Sequence, residues 1–515
     1  MRCARLWLVG LGVLAAAAAS LPARAGDPPR KPALSAEKLA ERIDELIDAK
    51  LKAQEITPAE PADDAEFLRR LSLDVGGRIP AVQDVRLFLA DKAADKRHKA
   101  VDRLLDSPLY STHFAAVWRS LMVPDSNNPF LQQSGPQLEA WLKNRLRENT
   151  TYDKMVREII TTPVVFNRAA MQRNQQGEPT PLPFYQAQEM KPENLAGATA
   201  RLFLGVKIEC AQCHNHPFDT WKREQFWEYA AFFGQDGKEI TISGTTKKVS
   251  ARFPDGSLPK GAGRAALAEW MTSGENRYFA RNAVNRLWEY FYGNGLIDPV
   301  DEPRADNPPS HPELLERLTK EFVAHKFDLN FMVRTLTATR AYALASKQSD
   351  PSQADPRLFA RMAVRGLTAE QLYDSILEVV GPDGLPNAAP PQGGFAPGVF
   401  NRRGEFLTRF PPQEKRTEVQ TSILQALYLM NGKFMEEVTD PQRNRTLGTI
   451  IESRGTTGRR LDELYMVTLA RKPTTEERAR LVKYVEEGGP SHDSKKAYAD
   501  VFWALLNSSE FFLNH

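Results

Sequence analysis

The chain has 515 residues, with 68 Lys and Arg against 65 Asp and Glu, three cysteines and 42% hydrophobic residues. This apolar content excludes a largely disordered chain, and the length suits two domains better than one core. The near balance of charge excludes a general affinity for nucleic acid or anionic membrane.

At the N-terminus Arg2 and Arg5 precede an apolar run from Leu6 to about Ala19, and Ala23-Arg24-Ala25 follows. That is the pattern of a secretory signal cleaved after Ala25, so the mature chain is expected to be exported, periplasmic or extracellular. The run is shorter than a typical membrane span, and no later stretch supplies an integral membrane segment. Cleavage removes three arginines, no acidic residue and Cys3, leaving 65 basic against 65 acidic residues and only Cys210 and Cys213. In an oxidising compartment two such thiols are expected to be bonded to each other, to a metal or to a cofactor.

Residues 26–34 read as a tether. Ser35 caps a helix over Ala36–Lys52 with Leu39, Ile43 and Ile47 on one stripe. Further helices are expected over Glu66–Val75, stopped by Gly76-Gly77, and over Pro80–Leu89, Lys99–Leu105, His113–Met122, Leu138–Arg147 and Tyr152–Ile160. Val164–Met190, rich in glutamine and proline, reads as a surface loop. Pro192 opens a helix that Gly205 ends, and Lys222–Phe233 resumes with Phe226, Trp227, Tyr229, Phe232 and Phe233. Alternation around Gly244 within Lys238–Phe253 predicts a β-hairpin, and the turn-rich run to Gly263 marks a domain boundary.

Beyond it, helices are expected at Arg264–Met271, Tyr278–Tyr292, Pro312–His325, Leu329–Leu344, Ala369–Val380, Thr421–Asn431, Arg459–Arg471, Thr475–Glu487 and Lys496–Leu506. Pro382–Pro412 reads as a mobile, basic loop. The expected fold class is mainly α: helical domains over 35–237 and 264–515, with a small β-hairpin and linker at 238–263.

Chemistry concentrates in Cys210-Ala-Gln-Cys213-His214-Asn-His216-Pro-Phe218-Asp219. Cys-x-x-Cys-His is the spacing of covalent haem c attachment: thiols at i and i+3 share one face of a helical turn, and the next histidine is placed to ligate iron. On this reading Cys210, Cys213 and His214 bind the cofactor and the protein passes electrons to a redox partner. His216 lies too near His214 to serve the opposite face of the same iron, and Met122, Met155 and Met190 are candidates for that position by residue type alone.

The alternatives are a zinc site of the two thiolates with His214 or His216 and Asp219, a disulfide staple, and a thiol oxidoreductase, for which no thioredoxin-like βαβ context is present. A metal-dependent hydrolase using His214 and His216 is a further class, and a non-catalytic scaffold bound to cell-surface glycan is another. Arg402, Arg403 and Arg409 would contact acidic glycan on the scaffold reading, although a solvated loop is the plainer one. Asp298, Asp301, Glu302 and Asp306 with Arg304 read as a salt-bridged loop before they read as an acid–base or cation site. His311 reads as a surface residue at a helix start; Asn285, Arg286 and Trp288 read as packing.

Three stretches carry a family resemblance: Arg69-Arg70-Leu-Ser-Leu-Asp74, Val101-Asp-Arg-Leu-Leu-Asp-Ser107-Pro108, and Phe203-Leu-Gly205 through Asp219. Together they resemble a cytochrome-associated N-terminal domain of exported planctomycete-type proteins, number fifteen-forty-nine among domains of unknown function. The second half, with Asn276-x-Tyr-Phe-Ala-Arg281, Val284-Asn-Arg-x-Trp288, Asp298-Pro-Val-Asp301 and His311-Pro-Glu-Leu-Leu315, is similar to its usual companion, number fifteen-fifty-three. The resemblance implies association with cytochrome-c-like, lectin-like or sulfatase-like modules, and no established activity. No separate cytochrome domain is legible in this chain, so a redox role rests on the Cys210 motif itself.

Overall fold

The first helix forms for local reasons. Ser35 Oγ accepts the Lys38 amide at 3.3 Å, closing an N-terminal turn, and Leu39, Ile43 and Ile47 turn one fully buried stripe inward. In the computed structural model this helix runs Ala36–Ala53, one residue beyond expectation. The structure describes residues 33–123, 129–164, 178–381, 402–410, 415–418 and 423–515. The signal segment, nearly all of the tether and most of the Pro382–Pro412 loop lie outside them.

Leu34–His515 forms one unit, mainly α, with two short antiparallel strand pairs among the described residues. No helix among those residues is long and apolar enough to cross a membrane. The expected hairpin is present, Glu239–Thr241 pairing with Lys248–Ser250. The second pair, Arg365–Gly366 with Leu513–Asn514, joins segments that only tertiary folding brings together.

Two local expectations are corrected. The run expected to be a surface loop to Met190 contains a helix, Leu182–Ala187, whose Pro183, Phe184 and Tyr185 are buried. Proline is tolerated there because the first turn of a helix needs no amide donor. The loop expected to reach Pro412 contains a helix at Arg402–Arg409, with Phe406 fully buried.

One hydrophobic core runs from Ala36 to Met362, straight across residues 238–263, and takes in Met466 and Ala470. Phe232, Phe253 and Trp270 stack in series there, with ring centroids 4.9 and 4.7 Å apart. A second core gathers Leu372 to Phe511 and takes in Leu73 and Ile79 from the N-terminal half.

The two cores meet at a buried polar knot. Ser72–Gly76 is wound as a π turn, and it ends the helix that carries the double arginine. Asp74, wholly buried, accepts two hydrogen bonds from Arg365, at 3.0 and 2.9 Å, one from Tyr342 Oη at 2.9 Å and one from Asn514 Nδ2 at 2.8 Å. Arg69 donates to the carbonyls of Thr468, Glu510 and Phe511. Arg70 donates to those of Tyr342 and His515 and to Glu66. Burial drives the Arg69 guanidinium down to about 10, still charged at neutral pH.

Candidate functional site

The Pro192–Thr199 helix widens into a π turn over Ala200–Leu204 and stops at Gly205, whose φ of +66° is left-handed. A Cβ on Gly205 would lie 2.4 Å from Asn282 Oδ1. The glycine is therefore needed twice, for its dihedral and for its closeness to the Phe279–Tyr292 helix. Asn282 Nδ2 donates to the Leu202 carbonyl at 2.7 Å and Arg286 Nη2 to that of Arg201 at 2.7 Å, so the stem of the motif is held by side chains from the second half of the chain.

Glu209–Gln212 then forms one 3-10 turn. Cys210 lies within this turn and Cys213 caps its end, while Ala211 plugs into the core; Cys213 and His214 do not line the groove that Cys210 lines. Both thiols are free and exposed.

The Arg223–Ala230 helix grips this turn from behind. Buried Trp227 donates its indole N–H to the Gln212 carbonyl at 3.0 Å, which Arg223 Nε also reaches at 3.4 Å. The Arg223 amide donates to Asn215 Oδ1 at 3.0 Å. A hydrogen bond of this kind contributes about 1 kcal/mol net, so Trp227→Phe should speed amide exchange across 209–214 roughly fivefold while leaving the core's exchange unchanged. Hydrogen-exchange mass spectrometry reads this; unchanged exchange in the turn would mean that the indole does not hold it.

The two histidines differ in ring chemistry. His214 Nδ1 lies 2.7 Å from the Asn215 carbonyl, which can only accept, so Nδ1 carries the proton and Nε2 keeps its lone pair. His216 is reversed: its Nδ1 accepts the Phe218 amide at 3.2 Å, which puts the proton of the neutral ring on Nε2. Asp219 turns its Oδ1 onto the Thr220 amide at 2.6 Å.

Tertiary folding adds a wall that no local pattern announces. Cys210, His216, Phe218 and Asp219 line a groove of about 140 Å³, and Asp301, Glu302, Pro303 and Arg304 line it too. The salt-bridged loop expected there is present: Arg304 pairs with Glu302 and Asp306, and Asp298 with Lys415. Behind it Glu209 packs against Gly197, and burial raises its carboxyl. Glu289, beside Arg286, Asp298, Lys415 and Asp301, is pushed up to about 7, mainly by burial.

Other expected residues fall elsewhere. Met122 and Met155 are buried in the core and Met190 lines a different cavity, beside Tyr185 and Phe232, so none lines the Cys210 groove. Among the described residues no three His, Cys, Asp or Glu side chains converge as a metal-binding group. His311 does start a helix, but it is buried rather than on the surface, against Phe359 at 5.5 Å, and burial lowers its imidazole to about 4. Asn285 and Trp288 are packing residues, Asn285 bonding both backbone groups of Ile297. Arg403 pairs with Asp374 and Arg409 with Glu405.

Two family models match the chain: PSCyt2, a protein of unknown function (DUF1549), over residues 42–237, and PSD1, a protein of unknown function (DUF1553), over residues 263–392 and 405–485. No curated protein and no solved structure matches it. The chain thus belongs to the proteins that pair a PSCyt2 segment, here bearing the Cys210 turn, with a PSD1 segment, here supplying the wall of its groove.

Proposed function

We propose that this is an exported electron carrier in which Cys210 and Cys213 hold haem c and His214 Nε2 ligates the iron. The observation that carries the reading is the contrast between the two histidines. His214 donates its far ring nitrogen to a carbonyl, as metal-ligating histidines do, and offers Nε2. His216 offers a protonated Nε2 instead, which suits one histidine ligand in this turn better than the two of a zinc knuckle.

The donor set suits the group by type: two free, exposed thiols three positions apart at one turn and its cap, with the imidazole next in sequence. Each thiol would add across one vinyl double bond, forming an S–C bond at the inner carbon and delivering its proton to the outer one, with no net electron change. Bound haem supplies a one-electron iron couple. Trp227 and Arg223 keep the turn in the shape that presents both sulfurs, and the buried stem beneath it resists unwinding.

The test is the visible spectrum of protein exported from a host with c-type haem maturation, followed by haem staining of a denaturing gel and metal analysis. A Soret band and stain that survive denaturation are expected. The double variant Cys210→Ala/Cys213→Ala should lose the stain, His214→Ala should shift the spectrum, and His216→Ala should not. A colourless protein, with one equivalent of zinc or with no metal, sinks the proposal.

A further inference from the structure

Away from the Cys210 turn, a cavity of about 300 Å³ is lined by residues of the Pro192–Thr199 helix and of the start of the Gly263–Met271 helix. Its walls are mainly aromatic: Tyr185, Phe232 and Phe233 line it together with Val164, Met190 and Leu195. The Tyr185 hydroxyl donates to the Ile160 carbonyl at 2.6 Å, so its one donor is already spent. Glu189 and Met190, the second of them on the cavity, have φ of +52° and +55°. Such left-handed values are uncommon outside glycine and recur where a binding site imposes them.

The polar end is different. Arg264, half-buried, donates through Nη1 to the carbonyls of Thr162 at 2.6 Å and Ile160 at 3.4 Å, and its guanidinium carbon lies 5.1 Å from the centre of the Tyr185 ring. Those contacts fix the side chain and leave its charge unmatched, since among the described residues Arg264 pairs with no carboxylate. Ala262 gives the helix that follows no side-chain cap, so the positive end of that helix adds to the same field. Asp236 also lines the cavity, but it is exposed, and its Oδ1 accepts the amides of Lys238 and Glu239 at 2.9 and 3.2 Å. Its charge is thereby engaged in that turn.

We propose that this cavity binds a small aromatic monocarboxylate, with its ring against Tyr185, Phe232 and Phe233 and its carboxylate on Arg264. The volume stands at the lower end of the roughly 300–1,000 Å³ of ligand sites, which suits a single ring better than a fused system. The aromatic wall belongs to the PSCyt2 segment and Arg264 to the PSD1 segment. The two segments touch here: the Gly263 amide donates to the Gly237 carbonyl at 2.8 Å, and a Cβ on Gly237 would lie 2.3 Å from Gly263 Cα. An occupied cavity therefore ties one segment to the other, independently of what Cys210 holds.

The test titrates three probes of one shape into the full chain by calorimetry: phenylacetate, the neutral phenylacetamide and the cation 2-phenylethylamine. A charge-assisted hydrogen bond should make phenylacetate bind about tenfold more tightly than the amide, with the amine no tighter than the amide. Arg264→Gln, which keeps a donor for the Thr162 carbonyl, should remove the preference for the acid. Met190→Trp, which fills the cavity, should abolish binding of the acid and the amide alike. Thermal unfolding identifies the variants that fold.

Equal affinity for acid and amide in the unsubstituted chain, tightest binding of the amine, or no binding at all would overturn the proposal, whatever the variants do. So would a preference for the acid that survives in folded Arg264→Gln, or binding that survives in folded Met190→Trp.

Discussion

Asp74→Asn is expected to cost the fold about 3–5 kcal/mol, read as a drop in the urea midpoint with little change in slope. The substitution preserves shape but leaves Arg365, 1% exposed, without its counter-charge. It also gives Tyr342 and Asn514, both donors to this carboxylate, an amide that offers one accepting oxygen instead of two. Arg365→Met should cost a similar amount, because it strands the carboxylate. The double variant Asp74→Leu/Arg365→Met should recover part of the loss, since removing both members of a buried pair avoids an uncompensated charge. Glu239→Gln is the control: its pair with Lys248 is exposed and should contribute under about 1 kcal/mol. A loss below 1 kcal/mol for Asp74→Asn would mean that the knot does not hold the two cores together.

Gly205→Ala is the second large effect, and it reaches the functional turn. A left-handed non-glycine residue costs about 1–2 kcal/mol, and the new methyl would meet Asn282 Oδ1 at 2.4 Å and Cγ at 2.7 Å. Moving Asn282 away breaks its hydrogen bond to Leu202. Together these should destabilise the chain by about 2–4 kcal/mol and change the alkylation rates of Cys210 and Cys213. Gly205→Ala/Asn282→Ala separates the causes. It relieves the clash but keeps the dihedral strain, so the two changes should couple rather than add. Wild-type stability in Gly205→Ala would show that the close approach is not maintained in solution.

Both effects concern contacts distant in sequence, which is where reading the chain by pattern stops. The Arg69-Arg70…Asp74 stretch stood out only as a resemblance, because nothing around Asp74 says that Arg365, Tyr342 and Asn514 converge on it. His311 reads as a surface residue for the same reason: Pro312 announces a helix start, but the ring that packs on His311 is Phe359. The Leu182–Ala187 helix was hidden by composition, its prolines and glutamines reading as loop when one proline sits at the helix start.

The sequence by itself determined what local periodicity and capping determine. It defined the mainly α class, the Ala36 helix to within one residue, the hairpin around Gly244 and the helix stop at Gly205 ahead of Cys210. Those features depend on neighbours within a few positions, so a pattern of apolar residues, prolines and glycines specifies them. Only the tertiary structure decided that one core spans residues 238–263, that Asp74 joins two cores, and that Asp301–Arg304 closes the groove beside Cys210. Those features come from side chains far apart in the chain being forced together by burial, and burial is a property of the packed whole that no single segment carries.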